Sequence, residues 1–132
     1  MLTYTADWWQ IELPEGWLSE CDDACHSFYY PGGAGALQIN AYRKDTPISD
    51  FDLFDLIDLE EEAREHLAPA MLGGFSGHQL LYSEDGIFWH KWWVYHENLL
   101  LHVTYTCPED EKHVESLTVR DLLDTLKPAS AG

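Results

Sequence analysis

The segment Phe88 to Cys107, FWHKWWVYHENLLLHVTYTC, constrains the fold more than any other part of the chain. It places three tryptophans, two tyrosines, three histidines and one lysine in twenty residues. Its alternation and its Glu97-Asn98 break predict two strands joined by a tight turn. Turning there pairs Val94 with Leu101, Trp92 with Val103 and His90 with Tyr105. One face then carries Phe88, Trp92, Val94, Leu99, Leu101, Val103 and Tyr105, a core face. The other carries Trp89, Lys91, Trp93, Tyr95, Leu100, His102, Thr104 and Thr106. That second face is amphipathic, and either a helix or a partner must cover it.

The rest of the chain supplies companions for this hairpin. Strands are predicted at Trp8 to Leu13, Trp17 to Cys21, His26 to Tyr30, Ala36 to Lys44 and Gly77 to Ser83. Asp22-Asp23-Ala24 and Glu84-Asp85-Gly86 read as turns. At the second turn, one added bulge residue would set Leu80 and Tyr82 beside Trp92 and Phe88, and the hydrophobic match favours that bulge. Ser49 is placed to cap a helix running to about Leu67, ahead of Pro69. Its apolar stripe is Leu53, Leu56, Ile57, Ala63 and Leu67. A closing helix buries Val119, Leu122, Leu123 and Leu126 and ends before Pro128. No repeat or linker interrupts the chain, so residues 1–132 are read as one domain.

The charge is lopsided, with 24 acidic residues against seven Lys and Arg and a formal net charge of −17. Such a field repels phosphate backbones and anionic membrane surfaces, and favours a basic protein or a cation as partner. The start MLTYTADWW has neither a basic n-region nor a long apolar run, and the three cysteines make an odd count. The expectation is a cytoplasmic protein with reduced thiols.

Three short segments carry a resemblance. Leu13 to Trp17 (LPEGW), Leu100 to Glu109 (LLHVTYTCPE) and the ending Leu123 to Pro128 (L-x-x-L-K-P) resemble the PsbP/Mog-like fold group, which includes DcrB-type bacterial proteins and photosystem PsbP subunits. The resemblance implies an antiparallel sheet packed by helices, and binding or assembly roles with no common reaction. The fold expected is therefore α+β: an antiparallel sheet of about six to seven strands packed by two main helices, an α/β/α sandwich.

No motif points to chemistry of comparable strength. Cys21 and Cys25 flank a turn beside His26, but a lone C-x3-C lacks the second ligand pair of a zinc pattern. The run DFDLFDLIDLEEE lacks the ligand order and turn glycine of a calcium loop. PGGAG, Pro31 to Gly35, lacks the Lys-Ser/Thr of a phosphate loop and reads as a flexible turn. The histidines His78, His90, His96 and His102 do not converge on one point. No metal or other cofactor is expected. The leading expectation is a non-catalytic protein-binding module, of which an inhibitor neutralising a basic toxin is one form. Its contact residues would be Asp52, Asp55, Asp58, Glu61, Glu62 and Glu65 on the acidic helix, with the aromatics Trp89, Trp93 and Tyr95. A second expectation is a small-ligand site or minor enzyme in an aromatic cleft on the Trp93 face, using His102 and Lys91. A third is a homodimer formed through the same face.

Overall fold

A computed structural model describes residues 2–23, 25–49, 51–53, 57 and 65–129. Its strands are β1 (Leu2–Thr5), β2 (Trp9–Leu13), β3 (Leu18–Asp22), β4 (Cys25–Tyr29), β5 (Ala36–Arg43), β6 (Ala68–Leu72), β7 (Phe75–Glu84), β8 (Ile87–His96), β9 (Leu99–Pro108) and β10 (Lys127–Pro128). A 3-10 turn (Glu109–Glu111) and helix α1 (Ser116–Leu123) lie between β9 and β10. Seven strands form one antiparallel sheet in the order β3-β4-β5-β9-β8-β7-β6. A second sheet of three strands has the order β1-β2-β10.

The β8–β9 hairpin pairs as the alternation requires, with Val94 opposite Leu101, Trp92 opposite Val103 and His90 opposite Tyr105. The turn before it differs from the bulged form expected. Glu84 pairs directly with Ile87, and both turn residues have positive φ, 53° at Asp85 and 81° at Gly86. This is the two-residue hairpin geometry whose twist matches the flanking strands, and glycine takes it without strain. The bulge would instead have aimed Leu80 and Tyr82 at the Trp92 face. The sheet buries both faces, so Leu80 is buried opposite the Trp92 side, with Trp93 and Leu100.

The first face packs against the small sheet and α1. Trp9, Ile11 and Leu13 of β2 alternate inward onto Phe28, Leu37, Ile39, Trp92, Val94, Leu101 and Val103. Tyr4 and Phe28 meet edge to face at 4.9 Å, a favoured aromatic geometry. Helix α1 adds Val119, Leu122 and Leu123, and Leu126 follows it into the same core. Ile48, Leu53, Ile57, Leu80, Trp93 and Leu100 form the second core on the opposite face.

Three strands were not anticipated, and each sits at an edge or is very short. β6 contains Pro69, and β10 ends in Pro128. Proline cannot donate to a ladder and is confined to edges, which masks such segments from a strand pattern. β6 borders the main sheet, where its turn to β7 needs Gly73. A Cβ at Gly73 would collide with the Leu126 carbonyl.

The two-helix packing is corrected in part. Among the described residues α1 is the one helix of more than a turn. The acidic segment does start as a capped helical turn: Ser49 Oγ accepts from the Asp52 N–H at 3.2 Å, and the Leu53 N–H reaches the Ser49 carbonyl at 3.0 Å. Most of its remainder, including Asp55, Asp58, Glu61 and Glu62, lies outside the described residues. Among the described residues no helix is long and apolar enough to cross a membrane.

Candidate functional site: a cleft between the main sheet and helix α1

The small sheet covers the β4–β5 side of the first face and α1 covers its centre. The far ends of β7 and β8 are left open on that side. The result is a cleft of about 720 Å³, within the size range of small-molecule sites. Its floor is Trp92, Tyr105, Val119 and Leu123. One wall comes from β6–β8, with Leu81, Phe88 and His90; the other comes from the α1 region, with Lys112, His113, Ser116, Leu117 and Arg120. Large apolar side chains stand exposed along it, Met71 at 73%, Leu117 at 66% and Leu81 at 51%. Water-facing leucines grouped around a cavity are more informative than the same residues scattered singly.

A polar relay stiffens the strand wall. The Gln79 amide donates to the Pro69 carbonyl at 3.0 Å, and its oxygen accepts from His90 Nε2 at 2.8 Å. The His90 ring stacks on Trp92 with centroids 3.5 Å apart. Burial pushes the His90 pKa down to about 4, so the imidazole is neutral at pH 7. With one nitrogen held by Gln79 and one face against Trp92, it is a fixed wall element. Ser116 Oγ donates to the His113 carbonyl at 3.4 Å.

The helix wall is anchored by one buried carboxylate. Glu115 stands at the start of α1, and its Oε1 accepts from the Tyr105 hydroxyl at 2.7 Å and the Gly35 N–H at 2.9 Å. Burial, then this bond to Glu115, raises the Tyr105 pKa far above its ordinary value. The Pro31–Gly35 loop is therefore pinned, unlike the free turn expected. A Cβ at Gly35 would strike the Thr106 carbonyl.

The residues singled out in the sequence fall elsewhere. Trp93 is 5% exposed and belongs to the second core, so it is corrected from an exposed contact to a packing residue. The reason is Leu53 and Ile57, which close over that part of the sheet. His102 stacks on Trp93 at 5.3 Å, and its buried Nε2 has no hydrogen-bond partner among the described residues. Burial, then the charge of Lys91, lowers its pKa. Trp89 is half-buried and stacks on Tyr82 at 6.1 Å, with the Lys91 ammonium 5.2 Å from the Trp89 ring and 5.5 Å from the Tyr82 ring. Tyr95 is half-buried against the second core. Asp52 is drawn into local bonds with Lys44 at 2.9 Å and with Ser49, and these lower its pKa. Glu65 is exposed. These side chains do not form one surface with the cleft.

Cys21 lies opposite His26 and Cys25 opposite Asp22 on the β3–β4 ladder. Among the described residues no group of three or more His, Cys, Asp or Glu side chains is placed to hold a metal ion. Sequence reasoning missed the cleft residues Leu81, Leu117, Lys112 and Arg120. The available signal was Leu117, an apolar residue off the buried stripe of its own helix.

No model of a protein family matches the chain, and no curated protein does. Solved structures do match in fold. One is a protein of Bacteroides thetaiotaomicron VPI-5482, with a TM-score of 0.69 and 19% identity over 95% of this chain. This chain spans about half of that protein, 46% of its length. A second is LpqN, involved in cell envelope biogenesis of Mycobacterium tuberculosis, at a TM-score of 0.60 and 19% identity, covering 92% of this chain and 83% of that one. A third is the cyanobacterial PsbP (CyanoP) of Synechocystis sp. PCC 6803, at 0.64 and 11%, covering 97% and 92%. The fold is thus PsbP-like: antiparallel sheets with a helical cover. At these identities the likeness defines the architecture alone.

Proposed function

We propose that this protein is a non-catalytic binding module whose working site is the cleft between β6–β8 and α1, and that it takes a small apolar ligand. The observation that carries this reading is the cleft itself, about 720 Å³ with exposed Leu81 and Leu117 facing it. Ligand sites are mostly apolar, with a few fixed polar groups, and His90 and Gln79 supply such groups here. The small-ligand reading had its site on the Trp93 face; the Trp92 face now supports it better. Among the described residues the lining offers no nucleophile paired with a base, which favours binding over chemistry. Titration with octanol, followed by tryptophan fluorescence, tests the reading. Saturable one-to-one binding that Leu81→Asp abolishes is expected. Absence of saturation, or binding untouched by Leu81→Asp, would sink it.

A second reading keeps the basic protein partner suggested by the net charge of −17. Its favouring observation is the half-buried Trp89 on the opposite face, stacked on Tyr82, since aromatic anchors dominate protein interfaces. A cytoplasmic setting belongs to both readings and rests on the three free thiols. Cross-linking at low salt tests the second reading: a stoichiometric basic partner, lost on Trp89→Ala, is its expected result.

A further inference from the structure

We infer that the ligand of this cleft is an amphiphile with an anionic head on an apolar body. The inference rests on the ligand-binding reading above and adds the charge of the ligand. The two walls differ in chemistry. The strand wall offers Leu81 and Phe88, while the helix wall offers Lys112, His113 and Arg120. The chain has only seven Lys and Arg in all, so two on one wall is a concentration of positive charge. Asp124 is the one carboxylate lining the cleft among the described residues. Lys112 leans on Glu109 at 3.1 Å, whereas Arg120 makes no ion pair among the described residues. Arg120 is therefore the stronger anchor, and its planar fork suits a carboxylate or phosphate.

The net charge of −17 does not forbid an anion here. At 0.1 M salt, charges more than about 10 Å away are largely screened, so the local field is set by Lys112 and Arg120 against Asp124 and the Glu109 paired with Lys112. The helix wall would hold the head while the strand wall covers the body. A neutral ligand would leave the Arg120 charge unused, and a cationic one would face it directly.

Calorimetric titration with octanoate, octanol and octyltrimethylammonium, each below its micelle concentration, tests the inference. Octanoate should bind more than roughly tenfold tighter than octanol, since a hydrogen bond to a charged group is worth at least that much. The ammonium should bind weakest. The K112Q/R120Q variant, whose altered side chains are solvent-accessible, should lose the octanoate preference over octanol. Equal affinities for octanoate and octanol, a tighter ammonium, or a preference that survives in K112Q/R120Q would overturn it. Silence from all three probes would remove the ligand-binding reading itself, and this inference with it. Binding of octanol without discrimination would remove only the inference.

Discussion

Trp92 and Trp93 are neighbours in sequence, equally buried at 5% exposure, and they point to opposite faces of one sheet. Trp93 sits in a core closed by Leu53 and Ile57, stacked on His102. Trp92 sits at the boundary between a closed core and an open cleft, stacked on His90. Equal burial therefore conceals two different jobs. One indole fills space between elements that meet, and the other floors a space they leave open. The difference arises from the coverings: a small sheet and one short helix do not span the whole first face.

The largest effects should separate packing from periphery on the second face. Trp93→Ala should cost about 3–5 kcal/mol in urea unfolding, as expected for a buried aromatic. Trp89→Ala, in the half-buried stack with Tyr82, should cost about 1 kcal/mol or less. Equal losses would break the distinction between core and half-buried aromatics. Next comes the anchor of the helix wall. Glu115→Gln weakens charge-assisted bonds to Tyr105 and Gly35 and should destabilise by about 1–3 kcal/mol. A change near zero in thermal unfolding would detach Glu115 from the stability of that wall.

The pH dependence of stability sharpens the first face. His90 titrates near its ordinary value of 6.5 when unfolded and near 4 when folded. Below 6.5 the unfolded chain takes up a proton that the folded one refuses. The stability present above pH 6.5 is therefore lost as pH falls toward 4, with a slope of up to about 1.4 kcal/mol per pH unit from this residue. His90→Gln should flatten that part of the profile, as denaturation midpoints at several pH values would reveal. An unchanged slope would mean that His90 is solvated. The smallest stability effect is expected at Leu81, half in water. Leu81→Asp should change stability by about 0.5 kcal/mol or less while removing octanol binding.

Much of this arrangement was legible in the residues. The β8–β9 register follows from strict alternation around Glu97-Asn98, because a slip of one residue would exchange two chemically distinct faces. The cap at Ser49 and the buried stripe Val119, Leu122, Leu123 and Leu126 were equally local signals. The missed features are non-local. Leu80 and Leu81 are indistinguishable by hydropathy, and only the second core decides that Leu80 is buried and Leu81 exposed. β6 lacks β-branched residues and contains Pro69, so its pairing with β7 depends on the sheet already being there. The cleft is a gap between coverings, and no residue pattern encodes a gap. Leu117 was its nearest trace, an exposed apolar side chain off the buried stripe of its helix.

The most direct test is an amide and indole NMR titration of the whole chain with octanol. Saturable shifts should appear at the Trp92 indole, at His90 and Leu81 on the strand wall, and at Leu117 on the helix wall. The Trp93 and Trp89 indoles should stay in place. Shifts confined to Trp89 and Tyr95, or no saturable shift anywhere, would contradict the assignment of the working site to the Trp92 face.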